Sequence, residues 1–180
     1  ALSLVRDIKN VKIWSRDINK ANEYIQTLKK IYDFNFQAFD NTNDLVKDAD
    51  ILITTTPSKN PLIKFASLPK GIHITAMGSD AEEKNELDPE IIKNCDIYVP
   101  DNQAQTTILG ELNHAIKKNL ISKETLFYDL GKIISNPELG RKNKKDITVA
   151  DLTGTGVQDT AIARYSYSIA INKNLGMNIE

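Results

Sequence analysis

Short apolar runs, separated by segments with the period of a helix, are the feature that most narrows the folds open to this chain. Residues 11–14, 51–54, 72–77, 97–99 and 147–152 are such runs, and a continuous apolar run belongs to a strand covered on both faces. After the first, Ala21, Tyr24, Ile25, Leu28 and Ile31 recur at three- and four-residue spacing, the signature of one helix face. Residues 34–39 alternate like a strand, 44–47 suit a helical turn, and Pro89 suits the first turn of a helix over 89–94. Strands alternating with helices give a parallel sheet. Beyond Asp101 the spacing predicts helices over 110–118 and 123–132. A strand then leads into Thr153-Gly154-Thr155-Gly156 and a final helix carrying Val157, Ala161, Tyr165 and Ile169 on one face. The fold class expected is α/β, a doubly wound and mainly parallel sheet with helices on both faces.

Composition excludes several roles. With 180 residues, of which 41% are hydrophobic, the chain suffices for one well-buried core. A net charge of -1 supplies no positive field for phosphate backbones, so no nucleic-acid partner is expected. The single cysteine, Cys95, forms no internal disulfide, and His73 and His114 stand too far apart for metal-ligand spacing. No metal is expected, and a reducing cytoplasm fits. No apolar run approaches the roughly 20 residues that cross a bilayer, and no leader is evident, so no membrane association is expected. The basic stretch 141–145 reads as a solvated turn.

A dinucleotide fold of the Rossmann type opens with a strand and a Gly-x-Gly-x-x-Gly turn, where glycine lets the backbone approach the pyrophosphate. Nothing before Val11 supplies that turn. Leu2, Val5 and Ile8, three apart, read as the tail of a first helix. The domain expected over 1–155 is thus Rossmann-like and incomplete at its N-terminus, with residues 156–180 as a separate C-terminal helix.

Three strand ends carry chemistry. The first ends in Trp14-Ser15-Arg16-Asp17, where the adenosine ribose lies in such folds. Arg16 and Ser15 suit a 2′-phosphate and favour NADP(H). Asp17 suits either the ribose hydroxyl of NAD or a cap for the next helix. Thr55, Thr56, Pro57 and Ser58 follow the strand 51–54, and their small hydroxyls and fixed proline φ suit close passage of ribose and phosphate. The strand 72–77 ends in Met77-Gly78-Ser79-Asp80 and runs on to Lys84-Asn85-Glu86-Leu87. Alone, Asp80 reads more readily as the cap of a short helix than as a catalytic group.

That last segment resembles the strand-end motif of the ornithine cyclodeaminase and mu-crystallin family, Gly-x-Asp followed by Lys and then Glu-Leu. Further matches span nearly the whole chain: Trp14-Ser15-Arg16, Thr56-Pro57-Ser58, Gly110-Glu111, Gly140-Arg141 and Thr153 through Asp159. The strings 75–80, 110–115 and 151–159 are most similar to the cyclodeaminase-like branch linked to ectoine utilisation. The resemblance implies that Asp80 is the catalytic acid and base. It also implies a bound NAD(P) contacted by Ser15, Arg16, Asp17, Thr55 through Ser58, Met77, Gly78, Ser79, Gly154, Thr155 and Val157. Val157 would pack on the nicotinamide.

By the same resemblance, a further N-terminal part forms a dimerisation and substrate domain toward which the C-terminal helix returns. It brings the arginine and lysine that complete the site, and the protein is a homodimer. The implied reaction oxidises an L-amino or diamino acid to an imine, followed by cyclisation and ammonia loss. The alternatives are a cyclic-imine reductase or amino-acid dehydrogenase, and a nucleotide-binding protein without catalysis. Gly110-Glu111 and Gly140-Arg141 read as braces of loops, Asp159 as a first-turn charge, His114 as packing and His73 as a satisfied core residue.

Overall fold

The apolar runs become parallel strands in a computed structural model that describes residues 2–177. In chain order the elements are β1 (Asn10–Trp14), α1 (Ile18–Leu28), β2 (Asn35–Phe39), α2 (Thr42–Val46), β3 (Ile51–Thr54), β4 (His73–Ala76) and α3 (Pro89–Asn94). There follow β5 (Ile97–Pro100), α4 (Gln103–Thr106), α5 (Gly110–Lys117), α6 (Leu130–Ser135), β6 (Thr148–Asp151) and α7 (Gly156–Asn172).

Local chemistry sets the helix starts. Asp17, Asn41 and Asp129 each accept a hydrogen bond from a backbone N–H of the first turn of α1, α2 and α6, satisfying donors that have no partner inside the helix. Pro89 opens α3 behind the Asp88 cap, where a missing N–H costs nothing.

Two parallel sheets result, β1-β2 and the four-stranded β3-β4-β6-β5. The last strand in sequence is inserted between β4 and β5, with Thr148 opposite both His73 and Ile97. Ile72, Ile74, Leu87, Ile91, Leu112 and Val149 are fully buried and form the core between this sheet and the packed helices α3 and α5. Each such side chain contributes roughly 1.5–3 kcal/mol relative to exposure.

Two expectations need correction. Leu2–Leu4 forms a single 3-10 turn rather than a helix tail, with Leu4 and Val5 exposed; a few residues without a packed face do not sustain a helix. Ala1 lies outside the described residues, as do 178–180. Residues 123–129 are not helical. Phe127 leaves the helical pattern because its ring packs edge-on against Tyr98, with centroids 4.8 Å apart, and its N–H is held by Gln103 Oε1. The helix there begins only at Leu130.

Glu111 and Arg141 each brace a loop, as expected, but at opposite ends of β6. Arg141 donates to the carbonyls of Gly71 and Ile72 and to Thr148 Oγ1 at the start of the strand. Glu111 and Leu112 donate their N–H groups to Asp151 at its end. His73 bridges the same strands through Thr148 Oγ1, 2.8 Å away.

Candidate functional site

The carboxyl ends of β3, β4 and β6 lie side by side, because the three strands are parallel neighbours. Each strand therefore delivers its following loop to one edge, where ligands of open α/β sheets bind. From β3 come Thr55, Thr56, Pro57 and Ser58, from β4 Met77 to Asp80, and from β6 Thr153 to Val157. Thr55, Pro57, Met77, Asp80, Gly154 and Val157 are exposed at this rim.

These loops are fastened by buried carboxylates. Glu86, fully buried, accepts N–H bonds from Thr56 at 2.5 Å and Gly78 at 2.9 Å, and so straps the β3 loop to the β4 loop. The two pass so closely that a Cβ on Gly78 would lie 2.3 Å from the Thr56 carbonyl oxygen. Glyine at 78 is thus demanded by close approach. Glu111 Oε1 accepts from Glu86 N and lies 2.7 Å from Ser79 Oγ, while Oε2 accepts from Asn85 Nδ2 and Leu87 N. Asp151 Oδ2 accepts from Tyr98 OH and from the first turn of α5. Asp101 holds the β6 loop through the N–H groups of Thr153 and Gly154.

Burial, with the Asp151 carboxylate nearby, raises Glu111 to about 7. Burial likewise raises Asp151 to about 7 against the three donors that favour its charge. Asp80 differs. Its carboxylate lies 2.5 Å from Lys84 Nζ, four residues on, and the hydrogen bond from that ammonium lowers its pKa. Asp80 is therefore an ionised, accessible carboxylate at neutral pH.

The other expected contacts divide. Ser79 is buried, and its hydroxyl faces Glu111 and the Lys84 carbonyl; its side chain braces the loop instead of meeting a ligand. Thr56 Oγ1 accepts from Ser58 N, and Ser58 Oγ donates to the Asn60 carbonyl. Ser15 Oγ donates to the Asp17 carbonyl, Asp17 caps α1, and Arg16 is exposed without an ion pair among the described residues. All three follow β1, in the two-stranded sheet. His114 Nε2 donates to the Lys84 carbonyl, 2.7 Å away, and Asp159 stands in the first turn of α7.

Sequence reasoning missed the roles of Glu86 and Asp151. An acid closing the apolar run 147–151 was the available signal, but a strand end is equally a common place for a surface acid.

The rim suits a dinucleotide. Gly154 has φ +87°, and neither it nor Gly156 has an atom within 4 Å of an added Cβ, leaving open backbone at the start of α7. A concavity of about 580 Å³ lies beside it, between Thr155 to Gln158, α6 and Asp101 to Gln105. Among the described residues no group of acids, histidines and cysteine is arranged to hold a metal ion, and no helix is long and apolar enough to cross a membrane.

Parallel strands whose loops converge on such a rim define a Rossmann-like domain. The chain belongs to the ornithine cyclodeaminase/mu-crystallin family, whose profile matches residues 1–174. It is 47% identical over all 180 residues to a Sinorhizobium fredii protein named as an uncharacterised cyclodeaminase. It is 31% identical over its whole length to a Delta(1)-pyrroline-2-carboxylate reductase of Bacillus cereus. An archaeal alanine dehydrogenase dimer with bound NAD superposes with a TM-score of 0.91, at 32% identity over 99% of this chain and 55% of that one. The chain spans about half the length of the relatives it matches, 54% and 55% of these two.

Proposed function

We propose that this chain is the cofactor-binding part of an NAD(P)-dependent enzyme that interconverts a small L-amino acid and its imine, with Asp80 moving the proton. The observation that carries the reading is Asp80 itself: an exposed carboxylate, kept charged by Lys84, on the loop beside Thr55 to Ser58 and Gly154 to Val157. A general base has to be ionised and within hydrogen-bond reach of the proton it takes.

When bound, the nicotinamide supplies a hydride acceptor, or in reverse a donor, for the substrate Cα. The residues of this chain do the rest. Met77, Gly78, Gly154, Thr155 and Val157 would hold the nicotinamide, Thr55 to Ser58 the ribose and phosphate, and Ser15 to Asp17 the adenosine end. Asp80 takes a proton from the substrate nitrogen as the C–H bond opens toward an imine, and returns it in the reverse direction.

Cyclodeamination adds attack by a side-chain amine on that imine, loss of ammonia and return of the hydride, with no net redox change. Plain oxidation ends at the imine, and plain reduction starts from it and ends at the amine. The alanine dehydrogenase and pyrroline-carboxylate reductase relatives favour this second outcome. The similarity of residues 75–80 and 151–159 to the ectoine-utilisation branch favours a diamino acid. We place the remaining substrate contacts in a further N-terminal part, with α7 returning toward it and two such chains forming a cytoplasmic homodimer. Support comes from the exposure of α7 along its length and from the dimeric relative.

The test is full-length protein offered L-ornithine, L-2,4-diaminobutyrate, L-alanine and Delta(1)-pyrroline-2-carboxylate, following nicotinamide absorbance and ammonia together. Asp80→Asn is expected to lower kcat by roughly a hundredfold or more, as loss of a general base does, with cofactor affinity nearly unchanged. Full turnover in that variant would remove Asp80 from the reaction.

A further inference from the structure

We propose that Glu111 is a positioning residue for the proton-transferring loop: its buried carboxylate gathers residues 79–87 onto α5 and so fixes where Asp80 stands. This rests on the reading of Asp80 given above. Three N–H groups, those of Glu86, Leu87 and the Asn85 side chain, converge on the two oxygens of Glu111, and the Ser79 hydroxyl closes on Oε1. A carboxylate is the one side-chain group that accepts on both oxygens at once; a carboxamide turns an N–H toward one pair of donors. The rest of α5 binds the same loop. Gly110 N donates to the Ser79 carbonyl, Asn113 Nδ2 to the Glu82 carbonyl, and Lys117 pairs with Glu82. Asp80 is exposed and touches only Lys84 within this loop, so its position is inherited from these anchors.

Glu111 is itself held at the base of the site. Its own N–H binds Asp151, which Tyr98 also holds. The charged and titratable groups on the elements around it are Asp151 on β6, Tyr98 on β5 with Asp101 beyond, and Lys84 and Glu86 on the loop. His114 and Lys117 lie on α5, and Glu90, Lys93 and Cys95 on and after α3. Burial, and after it the neighbouring Asp151 carboxylate, raises Glu111 to about 7. Asp80, lowered by Lys84, does not change charge in the same range.

The experiment uses full-length wild type, Glu111→Gln, Ser79→Ala and Asp80→Asn. It reads hydrogen-exchange protection of the 79–87 amides, NADH affinity, and kcat and KM with whichever of the four substrates above the wild type turns over. In Glu111→Gln, protection of 79–87 and kcat each fall about tenfold or more, the scale of a small misplacement of a catalytic group, while NADH affinity and KM stay within about twofold. In Ser79→Ala, which removes one of the hydrogen bonds to Glu111 Oε1, protection of 79–87 falls less than in Glu111→Gln. Unchanged protection in folded Glu111→Gln overturns the inference, as does faster exchange with kcat unchanged while Asp80→Asn is inactive. Should Glu111→Gln fail to fold, unchanged protection of 79–87 in Ser79→Ala overturns it. Failure of the Asp80 reading looks different, with Asp80→Asn active and Glu111→Gln still losing protection.

Discussion

Arg16 stands exposed at the end of β1, free of any ion pair among the described residues, and its guanidinium fits a 2′-phosphate by paired, charge-assisted hydrogen bonds. Full-length protein is therefore expected to bind NADPH more tightly than NADH, and Arg16→Ala to erase the difference; titration of both cofactors checks it, and equal dissociation constants in wild type would end the idea. The NAD carried by the archaeal relative sets the comparison. At this scale the sequence was legible where a residue acts through its neighbours in the chain. Asp17 caps α1 and Asp159 sits in the first turn of α7 because both are set by backbone a few residues away. Ser79 was not legible that way. Its hydroxyl faces Glu111, 32 residues on, and nothing in the local string 77–80 tells an inward serine from an outward one.

Among elements, the loops after β3 and β4 behave as one unit because Glu86 accepts from both. Gly78 is the tightest point of that unit. Gly78→Ala forces its methyl group against the Thr56 carbonyl and the Glu86 carboxylate, neither of which yields without breaking the strap. The variant is expected to lose about 1–3 kcal/mol of stability, the usual range for an overfilled site, and to bind nicotinamide dinucleotide more weakly through the displaced Thr56 loop. Thermal unfolding and cofactor titration read the two effects, and a wild-type Tm would contradict the strap. Strands and helices were legible wherever their own apolar period decided them, as for β3, α1 and α3. The stretch 123–129 was not, because Phe127 follows Tyr98 and Gln103 rather than its own helical spacing.

The molecule as a whole carries an electrostatic cost beneath the site. Glu111 and Asp151, both buried, are raised to about 7, so the folded chain holds their protons more tightly than the unfolded chain does. Their contribution to stability is full below about pH 4, and it is lost as pH rises toward 7. His73 and His114, lowered by burial, act weakly in the opposite direction. Asp151→Asn, which cannot ionise, should thus gain on wild type as pH rises from 5 to 8, by on the order of 1–3 kcal/mol. Urea midpoints across that range measure it, and a constant difference would show that Asp151 is charged throughout. The same sheet explains what could be read beforehand. Apolar period and helix-start chemistry act over a few residues, so the sequence by itself determined the parallel α/β class, most elements and the motifs of the rim. Only the tertiary structure decided that β6 lies between β4 and β5, and that Glu86, Glu111 and Asp151 turn inward beneath the loops. Strand order and the burial of a carboxylate depend on partners tens of residues away, whose donors exist together only once the chain has folded.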